Sequence, residues 1–373
     1  MPEPGLRSAP DTILVGTVVG LVAIGLIMIF SASSTVAYVE HHDPTYYLKR
    51  QLLWLVVAVA CALLVYRSDY RKLRKVAPLA LAVACGMLVL VLVPHVGLIS
   101  GGARRWLGGG PVSFQPSEFA KLALVVYLAA ALSAKGEHVR SLPSGVVPLA
   151  AVTAVLTVLV LVEPDMGTAS LLAFTAGAML FAGGARRSHL LAIALVTLPP
   201  VIMLVLASPY KRARILAFLD PWKDPENTGF HIVQSLLALG SGGIFGLGLG
   251  MSRQKLFYLP EQFTDFIFAI IGEELGLLGA AVVIALFVVL AFRATRIALA
   301  SPDRFGFFLC IGCMCLIVIQ AFVNIGVVTS SWPVTGVPLP FISFGGSSLV
   351  VSLVAVALIV NIGRYRGLGR SEA

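Results

Sequence analysis

The chain alternates between long apolar runs and short polar segments. A membrane-spanning helix needs about 20 predominantly apolar residues, and the pattern predicts about ten such helices. They lie at about residues 12–34, 50–66, 77–94, 115–134, 145–163, 167–183, 189–207, 264–291, 305–328 and 346–363. The pattern therefore predicts an all-α polytopic membrane protein that forms a single domain over residues 1–373.

The polar breaks between the runs differ in length. The fifth and sixth runs are separated only by Glu163, Pro164 and Asp165, which predicts a tight helical hairpin. Long connections in compact proteins usually carry function. Three breaks are long and rich in glycine, proline and polar residues: about 95–116, 208–263 and 329–346. The longest is predicted to form a large extracytoplasmic loop between spans seven and eight.

Composition and charge agree with a membrane protein. The chain is 58% hydrophobic and 12% charged, with a mean hydropathy of +0.95, whereas soluble domains carry about 25% charged residues. Its net charge of +9 comes from Lys and Arg spread over short loops, which disfavours nucleic acid as a partner. Clusters at 67–75 and 186–187 show the excess of basic residues that is typical of cytoplasmic loops. Both termini are therefore predicted to be cytoplasmic.

Two features point to structure rather than to chemistry. All five cysteines fall in apolar runs without the spacing of a zinc site, so they are interpreted as core residues. The first apolar run exceeds the 7–15 residues of a signal-peptide core and is interpreted as a retained span.

Asp265 is the most informative single residue. It stands at the entrance of the eighth span, directly after the longest polar segment. Ionisable groups inside a bilayer are costly unless paired or hydrated, so they are functional-site hypotheses by default. Glu273 and Glu274 lie roughly 12–14 Å further along the same helix. They are too far from Asp265 to share its site, and we expect them to make structural or inter-helix hydrogen bonds.

A second group of charges surrounds the start of the fourth span. Glu118 and Lys121 are three residues apart and share a helix face. Their pattern fits an intrahelical ion pair, and it equally fits a site for an anionic, phosphate-bearing lipid. Arg104 and Arg105 favour the second interpretation, because arginine binds phosphate oxygens in a bidentate manner.

Further candidates lie on other segments that are predicted to face outward. Lys255 supplies a cation shortly before Asp265, and Ser343 and Ser347 stand where the last span begins, at backbone N–H groups that favour anions. The alternative for that entrance is a re-entrant turn that closes the outer face. Glu163 and Asp165 suit acid–base chemistry or a cation site, or a turn in which Asp165 caps the sixth helix. The glycine-rich segment 240–250 has no Walker A lysine and predicts flexible or closely packed backbone near a lipid substrate.

These segments together resemble the SEDS family of shape, elongation, division and sporulation proteins, over essentially the whole chain. The resemblance rests on segments 102–108, 115–121, 163–168, 220–222, 259–276 and 338–348, all in family order. Segments 252–260 and 30–34 look more like the division and sporulation branches of the family than like its elongation branch. One departure is Gln262 and Phe263, which stand where the family usually has alanine and histidine.

The resemblance implies an enzyme of the bacterial cytoplasmic (inner) membrane that polymerises lipid II into glycan strands outside the cytoplasm. It implies that Asp265 is the essential catalytic carboxylate, which would accept the proton of the attacking sugar hydroxyl. Stabilisation of the departing pyrophosphate then requires positive charge. Basic side chains can supply it, and a bound divalent ion, Mg²⁺ or Mn²⁺, is an alternative source. The candidate substrate-binding residues are Arg104, Arg105, Glu118, Lys121, Lys255, Ser343 and Ser347.

The resemblance also implies partners: undecaprenyl-linked glycan, a class B penicillin-binding transpeptidase and other membrane proteins of the division machinery. Three alternatives remain open at this point, namely an elongation-type polymerase, a lipid II flippase and a non-enzymatic scaffold. The outward position of the motifs favours an enzyme over a flippase, because a flippase needs a site that is reachable from both sides. A scaffold would not need the charged cluster.

Overall fold

The computed structural model describes residues 9–100, 103–109, 112–255 and 259–365. Residues 1–8 and 366–373, which include the termini predicted to be cytoplasmic, lie outside the described residues. Helices dominate this part of the chain. They are α1 (Thr12–His41), α2 (Tyr46–Arg67), α3 (Leu73–Leu92), α4 (Pro116–Lys135), α5 (Val147–Val162), α6 (Met166–Ala182), α7 (Arg187–Leu206), α8 (Pro209–Leu219), α9 (Phe230–Gly242), α10 (Ile267–Leu299), α11 (Arg304–Val328) and α12 (Gly346–Gly363).

The described helices confirm a polytopic membrane fold. Eight of them, α1–α5 and α10–α12, are long and apolar enough to cross a membrane. The predicted sixth span corresponds to α6, which has only 17 residues, about 26 Å of helix. The predicted seventh corresponds to α7, with 20 residues and two internal prolines. The count of ten spans and the side of the termini therefore stay predictions.

Three helices form the centre of the bundle. The apolar windows of α4, α11 and α12 are 61%, 67% and 83% buried by other parts of the protein, whereas those of α2 and α3 are 17% and 22% buried. The central helices therefore face protein on most sides, and α2 and α3 present their leucine and valine side chains outward, as lipid-facing helices do. Polar residues of α4 and α11 consequently meet inside the protein.

A small sheet interrupts the helical pattern. Strands β1 (Leu98–Ser100), β2 (Ala103–Gly109) and β3 (Val112–Phe114) pair antiparallel in the order β1-β2-β3. The mostly helical fold is as predicted, but this small sheet within the polar segment 95–116 is not part of the all-α prediction. Two of the strands have only three residues, too few for an alternating pattern to be recognised. Their ladder nevertheless gives Arg104 and Arg105 a fixed place in the fold.

The predicted outer loop at about 208–263 is also more structured than the sequence indicates. It contains α8, a short helical turn at Pro221–Lys223, and α9. One face of α9 is buried: Ser235 and Ala238 are fully inaccessible, and the Ser235 hydroxyl donates to the carbonyl of Val328 at 2.7 Å. The middle of this segment is thus packed into the helical bundle.

The chain that follows α9 is built into a break in α10. At Gly276, φ is 67° and ψ is −167°, so the helix ends and restarts there. The carbonyls of Glu273 and Glu274, which the break leaves free, accept from Leu247 and Gly248 at 2.9 and 3.0 Å.

On the other side of the break, the amide of Leu277 donates to the carbonyl of Gly243 at 2.9 Å, and that of Leu278 donates to Ile244 at 3.2 Å. Backbone groups of a broken helix need such partners inside a membrane, because lipid offers none. Of the two alternatives for the glycine-rich segment, flexible or closely packed backbone, the structure therefore supports close packing.

Candidate active site

Asp265 lies in a series of turns immediately before α10, outside the spanning segment. Its backbone carbonyl accepts a hydrogen bond of 2.7 Å from the Asn324 side chain of α11, and Asn324 also donates to the carbonyl of Val337 at 2.7 Å. An amide side chain near the end of the apolar helix α11 thereby holds two loops in place. This places Asp265 at one end of the bundle, against the segment that enters α12.

A second clamp fixes the same turns from the α12 side. The Ser343 hydroxyl donates to the carbonyl of Thr264 and accepts from the amide of Leu339 at 2.8 Å. The amide of Phe344 donates to the carbonyl of Phe263 at 2.9 Å. Ser343, predicted as a substrate-binding residue, thus lies next to Asp265 and uses its hydroxyl to hold the backbone.

Backbone strain is concentrated around this clamp. Glu261 and Phe341 have positive φ values of 54° and 67°, a region that costs side-chain-bearing residues on the order of 1–3 kcal/mol and is enriched at functional sites. Gly336 leaves room beside the carboxylate: a Cβ there would lie 3.4 Å from Asp265 Oδ2.

In the described residues, the backbone around Asp265 is held in place, but its carboxylate group makes no hydrogen bond of its own. Within the described part of the chain, no donor lies in hydrogen-bond distance of it, and the residue is partly exposed. Burial raises its pKa to about 7, the like charges of Glu261 and Asp165 add to the rise, and Arg214 and Arg105 oppose it. A carboxylate with a pKa near neutrality that still reaches solvent has the properties of a general base.

The hairpin between α5 and α6 supplies the neighbours of Asp265. Arg105 donates from Nε to the carbonyl of Glu163 at 3.0 Å and from a terminal nitrogen to the carbonyl of Pro164. Asp165 caps α6, where its carboxylate accepts from the amide and hydroxyl of Thr168 at 3.0 and 2.9 Å. The prediction that Asp165 caps the sixth helix is confirmed, and Arg105 connects the hairpin to β2.

Glu163 is a buried acid without a hydrogen-bond partner for its carboxyl group in the described residues. Burial raises its pKa to about 8, repulsion from Asp165 adds to the rise, and Arg105 lowers it. Glu163 is therefore largely neutral at physiological pH. Its carboxyl group therefore adds a proton-carrying group near Arg105 and Asp165.

The two arginines of β2 have different surroundings. Adjacent residues of a strand point to opposite faces of the sheet, so Arg104, which pairs with Ile99, faces away from the side on which Arg105 meets the hairpin. Arg105 is therefore part of the Asp265 region. A role of Arg104 in substrate binding stays a prediction.

Glu118 and Lys121 form a buried network at the centre of the bundle. Lys121 Nζ donates to Glu118 Oε1 at 2.8 Å and to Gln320 Oε1 of α11 at 2.7 Å. Gln320 Nε2 donates in turn to the carbonyl of Pro338 at 2.9 Å. Both charged residues are less than 5% exposed, so the ion-pair interpretation holds, and the pair supports the loop that leads to α12. Direct contact of either residue with substrate stays a prediction.

Removing one charge from this pair should be far more damaging than removing both. Lys121→Met leaves Glu118 buried without its cation, and we expect a loss of about 3–5 kcal/mol in the free energy of unfolding. Adding Glu118→Gln to Lys121→Met should restore most of that loss. Thermal or denaturant unfolding of the purified protein measures it. As a matched control, Lys49→Met breaks the exposed Lys49–Asp43 pair and should cost at most about 1 kcal/mol. Equal losses for the two lysines would contradict this account.

Lys255 and Ser347 make structural contacts. Lys255 is buried, and its Nζ lies 3.3 Å from Glu274 Oε1 and donates to the carbonyl of Gly250. Glu274 also accepts from the Ser31 hydroxyl of α1 at 2.7 Å. These bonds confirm the predicted inter-helix role of Glu274. Ser347 accepts from the amide of Gln115 at 3.1 Å, so it ties the start of α12 to the start of α4.

Sequence reasoning missed several residues of this region. Asn324 and Gln320 carry a detectable signal, because polar side chains within an apolar span are rare and usually functional or structural. Arg214 and Glu261, whose charges act on Asp265, carry none, since each is one charged residue in a polar segment. In the described residues, no group of three or more His, Cys, Asp or Glu side chains is placed to hold a metal ion. The divalent cation therefore stays a prediction.

Comparisons with known proteins agree with this geometry. A family model described as cell cycle protein, FtsW/RodA/SpoVE, matches residues 11–367. Stage V sporulation protein E of Bacillus subtilis (strain 168) is 44% identical over 96% of this chain and 98% of its own length. A probable peptidoglycan glycosyltransferase FtsW of Trichlorobacter lovleyi is 46% identical over 94% of this chain and 92% of its own.

Solved structures share the fold. A chain from a peptidoglycan synthase complex that coordinates polymerization and crosslinking has a TM-score of 0.78 and 31% identity, covering 96% of this chain and 98% of that one. The rod shape determining protein RodA of Thermus thermophilus has a TM-score of 0.69 and 30% identity, covering 96% and 98%.

Proposed function

The chain belongs to the FtsW/RodA/SpoVE family of cell cycle proteins, and we propose on that premise that it is a peptidoglycan glycosyltransferase acting in cell division. It would join lipid II units into glycan strands at the outer face of the cytoplasmic membrane. The observation that carries the proposal is Asp265: a partly exposed carboxylate with a pKa near 7, fixed by Asn324 and Ser343 at one end of the bundle. Relatives of 43–46% identity over most of the chain are named peptidoglycan glycosyltransferase FtsW.

The proposed reaction uses Asp265 as the general base. A sugar hydroxyl of one glycan attacks the anomeric carbon of another, so a new C–O bond forms while the bond to the lipid pyrophosphate breaks. The hydroxyl proton passes to the Asp265 carboxylate, and the pyrophosphate leaves with the bonding electron pair. General bases of this kind contribute about 10²–10⁴-fold to rate. Arg105 and Arg214, the cations that act on Asp265, would offset the negative charge of the leaving group.

This role predicts a specific pH dependence. Asp265 works as a base only when ionised, so activity should be low below its pKa, rise through about pH 7 and level off above it. Glu261→Gln removes a like charge that raises the pKa of Asp265, so it should move the rising limb to lower pH. Initial rates of lipid II polymerisation over about pH 5.5–8.5 measure both profiles. A flat profile, or a limb that Glu261→Gln leaves in place, would contradict the assignment.

The rival function, transport of lipid II, is separable by experiment. Asp265, Arg105 and the clamps of Ser343 and Asn324 gather at one end of the bundle, which supports chemistry on one side of the membrane rather than alternating access. Vesicles that contain fluorescent lipid II and the purified protein test this. A glycosyltransferase should not speed transfer of the label between leaflets. Faster transfer without polymer formation would favour the flippase.

A partner that cross-links the strands fits the same proposal. The structural relative with a TM-score of 0.78 belongs to a synthase complex that coordinates polymerization and crosslinking. We propose a class B penicillin-binding transpeptidase as the partner and the division septum as the site of action. Polymerisation with the partner, inactivated for cross-linking, should exceed that of the protein alone. Equal rates with and without the partner would show that polymerisation does not depend on it.

A further inference from the structure

A basic cavity opens at the end of the bundle that is opposite Asp265. It has a volume of about 400 Å³ and lies where α3 begins, α4 ends and α11 begins. Asn324, near the far end of α11, contacts Asp265, whereas Arg304 at its first position lines the cavity. Helix α11 has 25 residues, about 37 Å of helix, so the cavity and Asp265 are separated by roughly the thickness of a membrane.

The cavity carries an excess of positive charge. Four basic side chains line it, together with one carboxylate: Arg71, Arg74, Lys75 and Arg304 against Asp303, with Ser133 and Phe305 completing the wall. The single carboxylate is already engaged. Its Oδ1 accepts from the amide of Gly306 at 2.7 Å, its Oδ2 accepts from the Tyr70 hydroxyl, and Arg71 Nε lies 3.5 Å from the same oxygen.

Only one of the four cations has a structural role of its own. Arg71 pairs with Asp303 and lies 5.8 and 5.6 Å from the ring centres of Tyr70 and Tyr365, so it forms part of the wall. Arg74, Lys75 and Arg304 are exposed, and none has a carboxylate within 4.0 Å in the part of the chain that the structure describes. Three uncompensated charges therefore converge on one concave site.

Helix orientation adds to this potential. Arg74 and Lys75 lie in the first turn of α3, which has no acidic residue, and Arg304 is the first residue of α11. Helix N-termini carry partial positive charge and disfavour basic side chains. The placement is unfavourable for the isolated protein and becomes favourable when an anion occupies the cavity.

We propose that this cavity is a phosphate-binding site and that its phosphate is that of an anionic phospholipid headgroup. Arginine forks and lysine ammonium groups are the donors that phosphate oxygens prefer. The cavity lies at helix ends, where headgroups lie, and three residues of the basic 67–75 cluster, which predicts the cytoplasmic side, line it: Arg71, Arg74 and Lys75. Basic pockets between spans at that face bind anionic headgroups in other membrane proteins. Free phosphate offers the same chemistry, and the experiment separates the two sources.

The test measures the thermal unfolding midpoint of the purified protein in neutral detergent as phosphatidylglycerol, phosphatidylcholine or inorganic phosphate is added. A ligand that binds only the folded state raises the midpoint, and at a given concentration the rise grows with the logarithm of its affinity. For wild-type protein we expect a rise with phosphatidylglycerol, little with phosphatidylcholine, and little with inorganic phosphate at the same concentration.

Two triple variants test whether the cavity residues themselves bind the headgroup. Arg74→Gln with Lys75→Gln and Arg304→Gln removes the unpaired cations of the cavity and should weaken phosphatidylglycerol binding about 100-fold. Arg67→Gln with Lys72→Gln and Arg140→Gln removes the same charge from exposed residues that do not line the cavity, and should bind as wild type does. If the first triple variant does not fold, each single substitution should weaken binding about fivefold.

The possible results distinguish a lipid phosphate site, a site for free phosphate and a general effect of surface charge. Loss of phosphatidylglycerol binding in the cavity variant alone supports a lipid phosphate site. If inorganic phosphate raises the midpoint as much as phosphatidylglycerol does, and the cavity variant loses both effects, the cavity is a phosphate site but its natural ligand is not a lipid. Equal losses in both triple variants would reduce the effect to general surface charge and overturn the proposal, as would a wild-type protein that does not distinguish phosphatidylglycerol from phosphatidylcholine.

Discussion

Asp265→Asn should lower the rate of glycan polymerisation by about 10²–10⁴-fold, the range that a general base supplies, without loss of folded protein. Asparagine keeps the size of the side chain and removes the base. The carboxylate is poorly solvated and lies near the like charges of Glu261 and Asp165, so neutralising it should leave the unfolding midpoint unchanged or raise it. Initial rates with lipid II, together with thermal unfolding of the same preparation, measure the two effects.

The control for this variant is an aspartate outside the site. Asp43, at the turn between α1 and α2, pairs with the exposed Lys49 at 2.8 Å. Asp43→Asn should keep polymerisation at the wild-type rate and leave the unfolding midpoint close to that of the wild type, because exposed ion pairs contribute little to stability. An Asp265→Asn protein that polymerises at the wild-type rate would remove Asp265 from the mechanism. One that is inactive only because it is unfolded would leave Asp265 with a structural role.

Gly276→Ala should destabilise the protein strongly and, with it, the site. Its φ and ψ of 67° and −167° lie in a region that only glycine occupies comfortably, and a side chain there costs on the order of 1–3 kcal/mol. A methyl group would also collide with the backbone nitrogen of Gly246 and the carbonyl oxygen of Ile244. Both collisions are with backbone that caps the break in α10, so the segment between α9 and Asp265 must move.

We expect the Gly276→Ala protein to lose roughly 3 kcal/mol or more, because the φ/ψ cost and the collision add, and to lose most of its activity. Thermal unfolding and polymerisation rates measure the two effects. The matched control is Gly86→Ala in α3, where an added Cβ meets nothing within 4 Å. A helical Gly→Ala exchange of that kind stabilises by about 0.5–1 kcal/mol. If Gly276→Ala behaved as Gly86→Ala does, the break in α10 would not be required for the fold.

The sequence predicts the spanning helices and the position of the main candidate residue because both depend on local patterns. Eight of the predicted runs are described helices of sufficient length. Asp265 stands where polar chain meets an apolar helix, and that boundary is visible in the sequence. The hydrogen bonds of Glu273 and Glu274 to the neighbouring loop were also predictable, since buried charges need partners.

The rest depends on contacts between residues that are far apart in sequence. The three-stranded sheet has strands too short to show a period. The break at Gly276 cannot be recognised in the sequence, because glycines are common in apolar helices. The break is stabilised by hydrogen bonds to the glycine-rich segment that precedes Asp265, and these contacts join residues that are far apart in sequence. Lys121 and Lys255 illustrate the main difficulty: their sequence positions fit phosphate binding, whereas the structure buries both beside glutamates.

The most direct test of the central claim is glycan formation from purified lipid II in detergent, where no membrane separates two compartments and transport cannot produce polymer. Wild-type protein and Asp265→Asn would each be assayed with the transpeptidase partner inactivated for cross-linking. We expect long glycan strands from the wild type and none above background from the variant at equal amounts of folded protein. Strands of equal yield from both, or none from the wild type with a folded partner present, would contradict it.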